Sequence, residues 1–168
     1  MTLLLFIAIA HSEPTVPIDD GLIDNGQATV DQISINGSEI KGTALQLSNS
    51  NLKINADRFE LDVMAKKAIF TENVEIHGPR FIMRADQVVL QKDSQDEQTI
   101  EANGNVYVEV MESSITASRA TYWPSVEKIV LSSSVVLDSN EQILRGEVIE
   151  IEIEKAIRCQ QNCSIQWK

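Results

Sequence analysis

The sequence predicts an all-β protein built from repeated strand–bend–strand units of antiparallel sheet. Three observations favour this fold class. Apolar and polar residues alternate at a period of two, the alternation changes phase at intervals, and the whole pattern recurs along the chain. The 168 residues are 43% hydrophobic but only 5% aromatic, so the apolar residues are mainly aliphatic. A chain of this length is one ordinary domain that buries enough surface to fold without stabilisation by disulfides or a bound metal ion.

The charge balance excludes some partners. Lys and Arg number 14 against 25 Asp and Glu, which gives a formal net charge of −11. Proteins that bind nucleic acids by displacing counterions need a basic face, and an anionic membrane surface attracts basic segments. We therefore expect no nucleic-acid partner and no docking on an anionic membrane surface.

The first residues resemble an export signal. Leu3 to Ala10 read LLLFIAIA, which is too short to cross a bilayer but suits the apolar region of a signal peptide, with small residues before a cleavage point. No Lys or Arg precedes the run, so the signal is atypical or truncated, and a short buried strand is the alternative. Residues 1–12 are predicted to be a signal peptide that directs export to an oxidising compartment of the cell envelope.

Residues 13–50 are more polar and rich in Gly, Asn and Ser. They predict one or two strands at an end of the sheet, with Ala44, Leu45 and Leu47 as the apolar part. The main domain is expected over residues 51–168.

Four units follow, and in each the inward phase changes once. In the first unit Leu52, Ile54 and Ala56 are even-numbered, whereas Phe59 and Leu61 are odd. A change of phase within a strand requires a bulge or a corner, and a small residue before a polar one suits a sharp bend. The four bends are predicted at Ala56-Asp57, Ala85-Asp86, Ala117-Ser118 and Gly146-Glu147.

Three returning strands repeat as well. They are predicted at 68–76, 100–108 and 129–137. Turn signals separate the strands at Gly78-Pro79, 92–96 and 138–140. Regular short strands with corners are typical of a sandwich, a jelly roll or a stack like a β-solenoid.

Cys159 and Cys163 offer two alternatives. Residues four apart in an extended strand lie about 13 Å apart, too far for a disulfide. The three intervening residues can instead form a hairpin tip, with Ile157 and Ile165 continuing as paired strands. An exported protein favours a disulfide across that tip, and two free thiols are the alternative.

The sequence contains no recognisable catalytic constellation. Glu150, Glu152 and Glu154 fall on the outward phase of a strand, and His77 lies beside a turn. There is no Gly-rich phosphate loop and no nucleophile elbow. We expect neither an enzyme, a cofactor nor a metal site.

Five segments, taken in order, resemble those of a known protein family. They are INADRFELDVMAKKAIFTENVEI (54–76), FIMRADQVVL (81–90), IEANGNVYVEV (100–110), ITASRATYWPSVEKIVLSSSVVL (115–137) and ILRGEVIEIEI (143–153). Together they resemble the LptA/OstA-like family of periplasmic lipopolysaccharide-transport proteins. The family favours TGNV in the returning strand, and only the middle unit keeps this glycine, at Gly104.

The resemblance implies a twisted antiparallel β-jellyroll, open at both ends, with an apolar interior. It implies a protein in the periplasm of a Gram-negative bacterium that holds the acyl chains of lipid A and passes lipopolysaccharide from the inner to the outer membrane. The implied partners are lipopolysaccharide, LptC-like and LptD-like proteins, and further copies of the chain stacked head to tail.

The candidate lipid groove consists of the inward residues of these strands. They are Leu52, Ile54, Phe59, Leu61, Phe70, Val74, Ile76, Phe81, Met83, Val106, Val108, Ile115, Tyr122, Leu131, Val135, Ile149 and Ile151. The same residues could instead form a closed core, because a lipid groove and a core share one pattern. One alternative is therefore a structural β-repeat protein of the envelope with no lipid ligand. Another is an LptC-like or LptD N-terminal-like domain of the same transport system.

Overall fold

The computed structural model describes residues 15–18, 26–30, 32–48, 52–95 and 97–168. The predicted signal peptide lies outside these residues. The described part contains one sheet of thirteen strands, a 3-10 turn at Pro124–Val126 and no α-helix. The strands are β1 (Thr15–Ile18), β2 (Gly26–Thr29), β3 (Gln32–Asn36), β4 (Glu39–Ser48), β5 (Lys53–Asp62), β6 (Lys67–His77), β7 (Phe81–Lys92), β8 (Gln98–Val110), β9 (Ser113–Trp123), β10 (Lys128–Asp138), β11 (Gln142–Glu152), β12 (Ala156–Gln161) and β13 (Ser164–Trp167).

From β4 to β12 each strand pairs with the next one in an antiparallel meander. The predicted all-β antiparallel fold is confirmed. The segment 13–50 holds four strands rather than one or two, and β4 continues the main sheet through the pair Ile40–Leu61. The frequent Gly, Asn and Ser residues dilute the alternation in this segment, which made its strands hard to recognise.

The inward phase changes where the sequence predicts. In β5 both Ala56 and Phe59 are buried, while Asp57 and Arg58 between them are exposed. The extra residue, however, lies in the returning strand opposite each bend. There the register of β6, β8 and β10 shifts by one residue. Two consecutive left-handed residues mark each shift, at Glu72-Asn73, Gly104-Asn105 and Ser133-Ser134.

Side chains from the neighbouring bends hold two of these bulges. Asn73 Nδ2 donates a hydrogen bond to Asp57 Oδ2 at 2.6 Å, and Asn105 Nδ2 donates one to Asp86 Oδ2 at 2.8 Å. The first and third bulges keep the left-handed conformation without glycine. Since a left-handed conformation costs an L-residue about 1–2 kcal/mol, these two bulges are strained.

We expect Ser133→Gly to stabilise the protein. Ser133 has φ +68°, which glycine adopts freely, and the gain exceeds the extra entropy that glycine loses on folding. The expected net increase in the free energy of unfolding is about 0.5–1 kcal/mol, measured by urea denaturation. Ser132→Gly, one residue earlier and outside the left-handed pair, is the control and should destabilise. An increase for both variants would contradict the strain argument.

The sheet folds over along the line of bends, so that its two halves face each other. Phe81 begins β7 opposite Val110, whereas Tyr122 lies near the end of β9 opposite Ile100, towards the other end of β8. Nevertheless the Phe81 and Tyr122 rings meet edge to face with their centroids 4.7 Å apart. This contact requires the two ends of β8 to approach each other. The inward side chains consequently form a single apolar cluster.

The prediction of a hairpin with its tip between Cys159 and Cys163 is wrong. Ile157 pairs with Ile151 and Ile165 pairs with Leu144, so β12 and β13 lie in line along the same neighbour, β11. Cys159 and Cys163 are nevertheless joined by a disulfide, with their Cα atoms 6.0 Å apart. A bulge in a single strand brings the two Cα atoms closer together than they would be in a regular strand, so the chain does not need to reverse direction.

Candidate functional site

The candidate site is the interior of the folded sheet. Every residue of the predicted groove set is buried, with at most 5% of its surface exposed, and all belong to one cluster. Strands β5 to β11 supply them, with Leu52 directly before β5. The alternation therefore located the interior correctly.

Further inward residues belong to the same cluster. The same period-two alternation, continued to the ends of the strands, indicates these residues in the sequence. They include Val88, Leu90, Ile100, Val110, Ile129, Leu137, Leu144 and Ile153, together with the alanines Ala56, Ala68, Ala85, Ala102 and Ala120.

The side chains of this interior are mainly aliphatic. No charged residue is buried in the described part of the chain, and Tyr122 is a member of the cluster that carries a hydroxyl group. Such a surface offers dispersion contacts and removal from water, which contribute about 0.8 kcal/mol for each methylene that it buries. Among the described members of the cluster, the Tyr122 phenol is the group that can ionise.

Burial changes the ionisation of Tyr122. Loss of hydration raises the pKa of its phenol above the ordinary value of 10.0, and the nearby charge of Glu127 adds to this effect. The folded state therefore holds the proton more tightly than the unfolded chain does. The resulting stabilisation is complete below about pH 10 and is lost as the pH rises through the folded pKa.

We expect Tyr122→Phe to reduce the loss of stability in alkali. Urea denaturation at pH 8, 10 and 11 should show the wild type losing more free energy of unfolding than Tyr122→Phe over this range. Tyr107→Phe, on the outer face, is the matched control and should follow the wild type. Equal pH dependence of the wild type and Tyr122→Phe would contradict the burial of the phenol.

A seam closes the side of the folded sheet. The turn between β6 and β7 and the turn after β8 lie on one rim, and the turn between β11 and β12 lies on the other. Arg80 forms an ion pair with Glu154 at 2.5 Å, and the Glu154 amide donates a hydrogen bond to the sulfur of Met111 at 3.3 Å. Because about half of each charged side chain is exposed, this ion pair contributes little stability, typically about 0–1 kcal/mol. The seam is therefore much weaker than the hydrogen-bonded ladders between strands.

The C-terminal edge of the sheet exposes apolar side chains. Ile165 lies opposite Leu144, and residues directly opposite in a sheet point to the same face, here the inward one. Trp167 has the same phase, two residues on. Ile165 is 58% exposed and Trp167 is 70% exposed, because no strand beyond β13 covers them in the described structure. The inward face thus continues, uncovered, to the end of the sheet.

The outer face consists of charged residues paired across strands. Arg84 bonds to Glu75 at 2.6 Å and lies 3.4 Å from Glu109. Hydrogen bonds from His77 and then from Arg84 hold the pKa of Glu75 below its usual range. The predicted outward position of Glu150 holds too, since it pairs with Lys128 at 3.2 Å. These arrangements keep the acidic face solvated without making a reactive centre.

A cavity of about 740 Å³ lies on the rim rather than in the interior. The turns after β6, β8 and β10 and the C-terminal Lys168 line it. Among the described residues, no group of three or more His, Cys, Asp or Glu side chains could hold a metal ion. Within the same part of the chain, no helix has the length and apolar character needed to span a membrane.

Comparison with known proteins agrees with this geometry. A family model described as the LptA/(LptD N-terminal domain) LPS transport protein matches residues 53–157. The crystal structure of LptH from Pseudomonas aeruginosa, the LptA homologous periplasmic component of the lipopolysaccharide transport device of that organism, superposes with a TM-score of 0.61 at 15% identity. The match covers 68% of this chain and 93% of LptH, and at this identity it shows the shared fold. No curated protein matches the chain by sequence.

Proposed function

Since this chain belongs to the LptA/LptD N-terminal domain family of lipopolysaccharide transport proteins, we propose that it is a periplasmic bridge component that shields the acyl chains of lipid A. In this role the folded sheet takes lipopolysaccharide from an LptC-like protein on the inner-membrane side. It passes the lipid to an LptD-like protein at the outer membrane.

One observation carries the proposal: the apolar inward face is continuous from β5 to an uncovered end at β13. A core that served stability alone would gain nothing from leaving Ile165 and Trp167 exposed at its edge. A continuous apolar face with an open end supports the passage of a flexible acyl chain from one protein to the next.

Lipid entry requires the two halves of the sheet to separate, because the interior side chains now fill the space between them. The Arg80–Glu154 seam is a weak, half-exposed closure, whereas parting neighbouring strands would break whole ladders of hydrogen bonds. The seam therefore favours a path in which the rims part and the ladders stay intact.

Crosslinking tests where the lipid lies. A photo-crosslinking residue placed at Phe81 or at Val106 of the full chain should capture lipopolysaccharide, because both positions face the interior. Glu101, outward on the same strand as Val106, is the matched control and should capture little. Equal capture at Glu101 and at the two inward positions would contradict an interior groove.

The uncovered C-terminal edge supports assembly by strand addition. An exposed edge strand presents unpaired backbone groups that pair with another chain. The C-terminal edge also offers the apolar side chains of β13. These features support head-to-tail stacking of copies and docking to LptC-like and LptD-like proteins of the same fold.

The charge of the protein bears on how the phosphorylated headgroup would bind. The net charge is −11, and Arg80, Arg84, Arg158 and Lys128 are all in ion pairs with carboxylates. The phosphates are consequently best placed near water, while the interior aliphatic side chains supply most of the affinity. Binding should weaken little when the salt concentration is raised from 50 to 500 mM.

The tight packing of the interior favours a second candidate, a structural β-repeat protein of the envelope without a lipid ligand. Many inward side chains are completely buried, as a closed core requires. Native mass spectrometry after incubation with lipopolysaccharide separates the two. A mass increase of one lipid supports transport, and an unchanged mass together with filament formation supports the structural role.

A further inference from the structure

The disulfide occupies a position that the other units fill with an apolar pair. Each returning strand has two inward residues that flank its bulge, four positions apart. They are Phe70 and Val74 in β6, Ala102 and Val106 in β8, and Leu131 and Val135 in β10. In the last unit, β12 and β13 continue as one strand and Asn162 is left-handed, with φ +52°. Cys159 and Cys163 flank this bulge in the same way.

The last bulge has fewer supports than the bulges of β6 and β8. Bulges in β6, β8 and β10 each have a strand on both sides, whereas among the described strands the last one has only β11 beside it. Asn73 and Asn105 are hydrogen-bonded to the aspartates of neighbouring bends. No such bond joins Asn162 to Glu147, the acidic residue of the fourth bend, within the described structure. Cys163 is exposed, so apolar packing does not hold it either.

The neighbouring strand leaves room for the sulfur. The small residue of the bend is alanine in β5, β7 and β9 but glycine in β11, at Gly146. A Cβ atom on Gly146 would lie 2.5 Å from Cys159 Sγ and 3.1 Å from the Gln161 carbonyl oxygen. Gly146 and the disulfide therefore form one local arrangement that is particular to this edge.

The bulge decides which face β13 presents. Between the pairs Ile149–Cys159 and Arg145–Ser164, the edge strand contains one residue more than β11. Without that extra residue the register of β13 would slip by one, and every side chain of β13 would change face. Ile165 and Trp167 would then leave the inward face that continues the interior.

We propose that the Cys159–Cys163 disulfide is a redox-controlled lock that fixes the register of the C-terminal edge for docking of the next β-jellyroll. This inference rests on the proposed function, because it regulates the edge at which assembly takes place. Oxidised, the lock holds β13 with its apolar side chains inward. Reduced, the four-residue strand frays from β11 or slips in register, and docking weakens.

The redox step needs a dithiol as partner, such as the paired thiols of a thiol–disulfide oxidoreductase. The dithiol passes two electrons and two protons to the disulfide. The Cys159–Cys163 sulfur–sulfur bond breaks, two thiols form, and the dithiol becomes a disulfide. The exposure of Cys163 makes the bond accessible to such a reagent.

Hydrogen exchange measured by mass spectrometry tests the lock on the full chain, oxidised or treated with a phosphine reductant. We expect amides of residues 164–167 to exchange at least tenfold faster after reduction, while amides of β8 stay unchanged. The double variant C159A/C163V reproduces the Ala102/Val106 pair of β8 without a disulfide. It should exchange like the reduced wild type, with or without reductant. Unchanged protection in both the reduced wild type and C159A/C163V would overturn the lock.

Sedimentation of the same samples tests the link to docking. Oxidised wild type should form larger assemblies than the reduced protein and C159A/C163V, by at least fivefold in association constant. Faster exchange with unchanged assembly would overturn control of docking. Failure of the oxidised protein both to assemble and to crosslink lipid would instead contradict the proposed function.

Discussion

Ile115→Asp should leave the protein unfolded or only loosely packed at pH 7. Ile115 is completely buried on β9 between Val108 and Leu137, its partners on the adjacent strands. The substitution removes about 1.5–3 kcal/mol of apolar burial. It also places a carboxyl group where no partner can compensate its lost hydration, at a cost of at least a few kcal/mol. The sum approaches the entire stability of an ordinary domain, about 5–15 kcal/mol.

The neighbouring residue supplies the control. Thr116 follows Ile115 on the same strand but is exposed on the outer face. We expect Thr116→Asp to change the free energy of unfolding by less than about 1 kcal/mol. Circular dichroism and urea denaturation of both variants measure the difference. Similar stability of the two variants would show that the inward and outward faces of β9 are assigned incorrectly.

Phe81→Ala should lower the free energy of unfolding by about 3–5 kcal/mol, the usual cost of truncating a buried phenylalanine. Phe81 is only 4% exposed, and its ring packs against the Tyr122 ring from the opposite half of the sheet. It also lies directly beneath Gly78, where an added Cβ would collide with the ring. The truncation therefore leaves a cavity at the place where the two halves meet. Phe81→Leu, which keeps most of the volume, should cost less than about 1.5 kcal/mol.

A double-mutant cycle shows whether the two rings interact directly. Urea denaturation of Phe81→Ala, Tyr122→Ala and the double variant should give a coupling energy of about 0.5–1.5 kcal/mol, as for other edge-to-face pairs. Strictly additive losses would indicate that the halves of the sheet do not meet at these residues, and the folded-over arrangement would then be wrong.

The features that could be predicted from the sequence are local, and those that could not depend on contacts between strands. The inward phase of β5 to β11 was predictable, because side chains alternate sides in every strand whatever its partners are. The bends at Ala56, Ala85, Ala117 and Gly146 were predictable from the change of phase. The location of the extra residue was not, since a bulge is defined by the register between two strands. It lies in the returning strand opposite each bend.

The position of the cysteine pair likewise depends on how neighbouring strands pair. The spacing of Cys159 and Cys163 excluded a disulfide in a regular strand and left a hairpin as the local solution. The structure brings the two residues together by a bulge in one continuous edge strand instead. Only the pairing of both β12 and β13 with β11 distinguishes these solutions, and the pairing of β13 depends on Leu144, which is distant in sequence from its partner Ile165.

The amino-acid sequence by itself determined an antiparallel sheet of repeated units with an aliphatic face and an acidic face, and the resemblance of its segments identified the family. Period-two alternation and turn residues act within a few positions, so they can be recognised without knowing the fold. Only the tertiary structure decided that the sheet folds over, that Arg80 and Glu154 close its side, and that Ile165 and Trp167 stay uncovered at its edge. These features depend on contacts between residues far apart in the chain, which arise from the accumulated twist and bend of many strands.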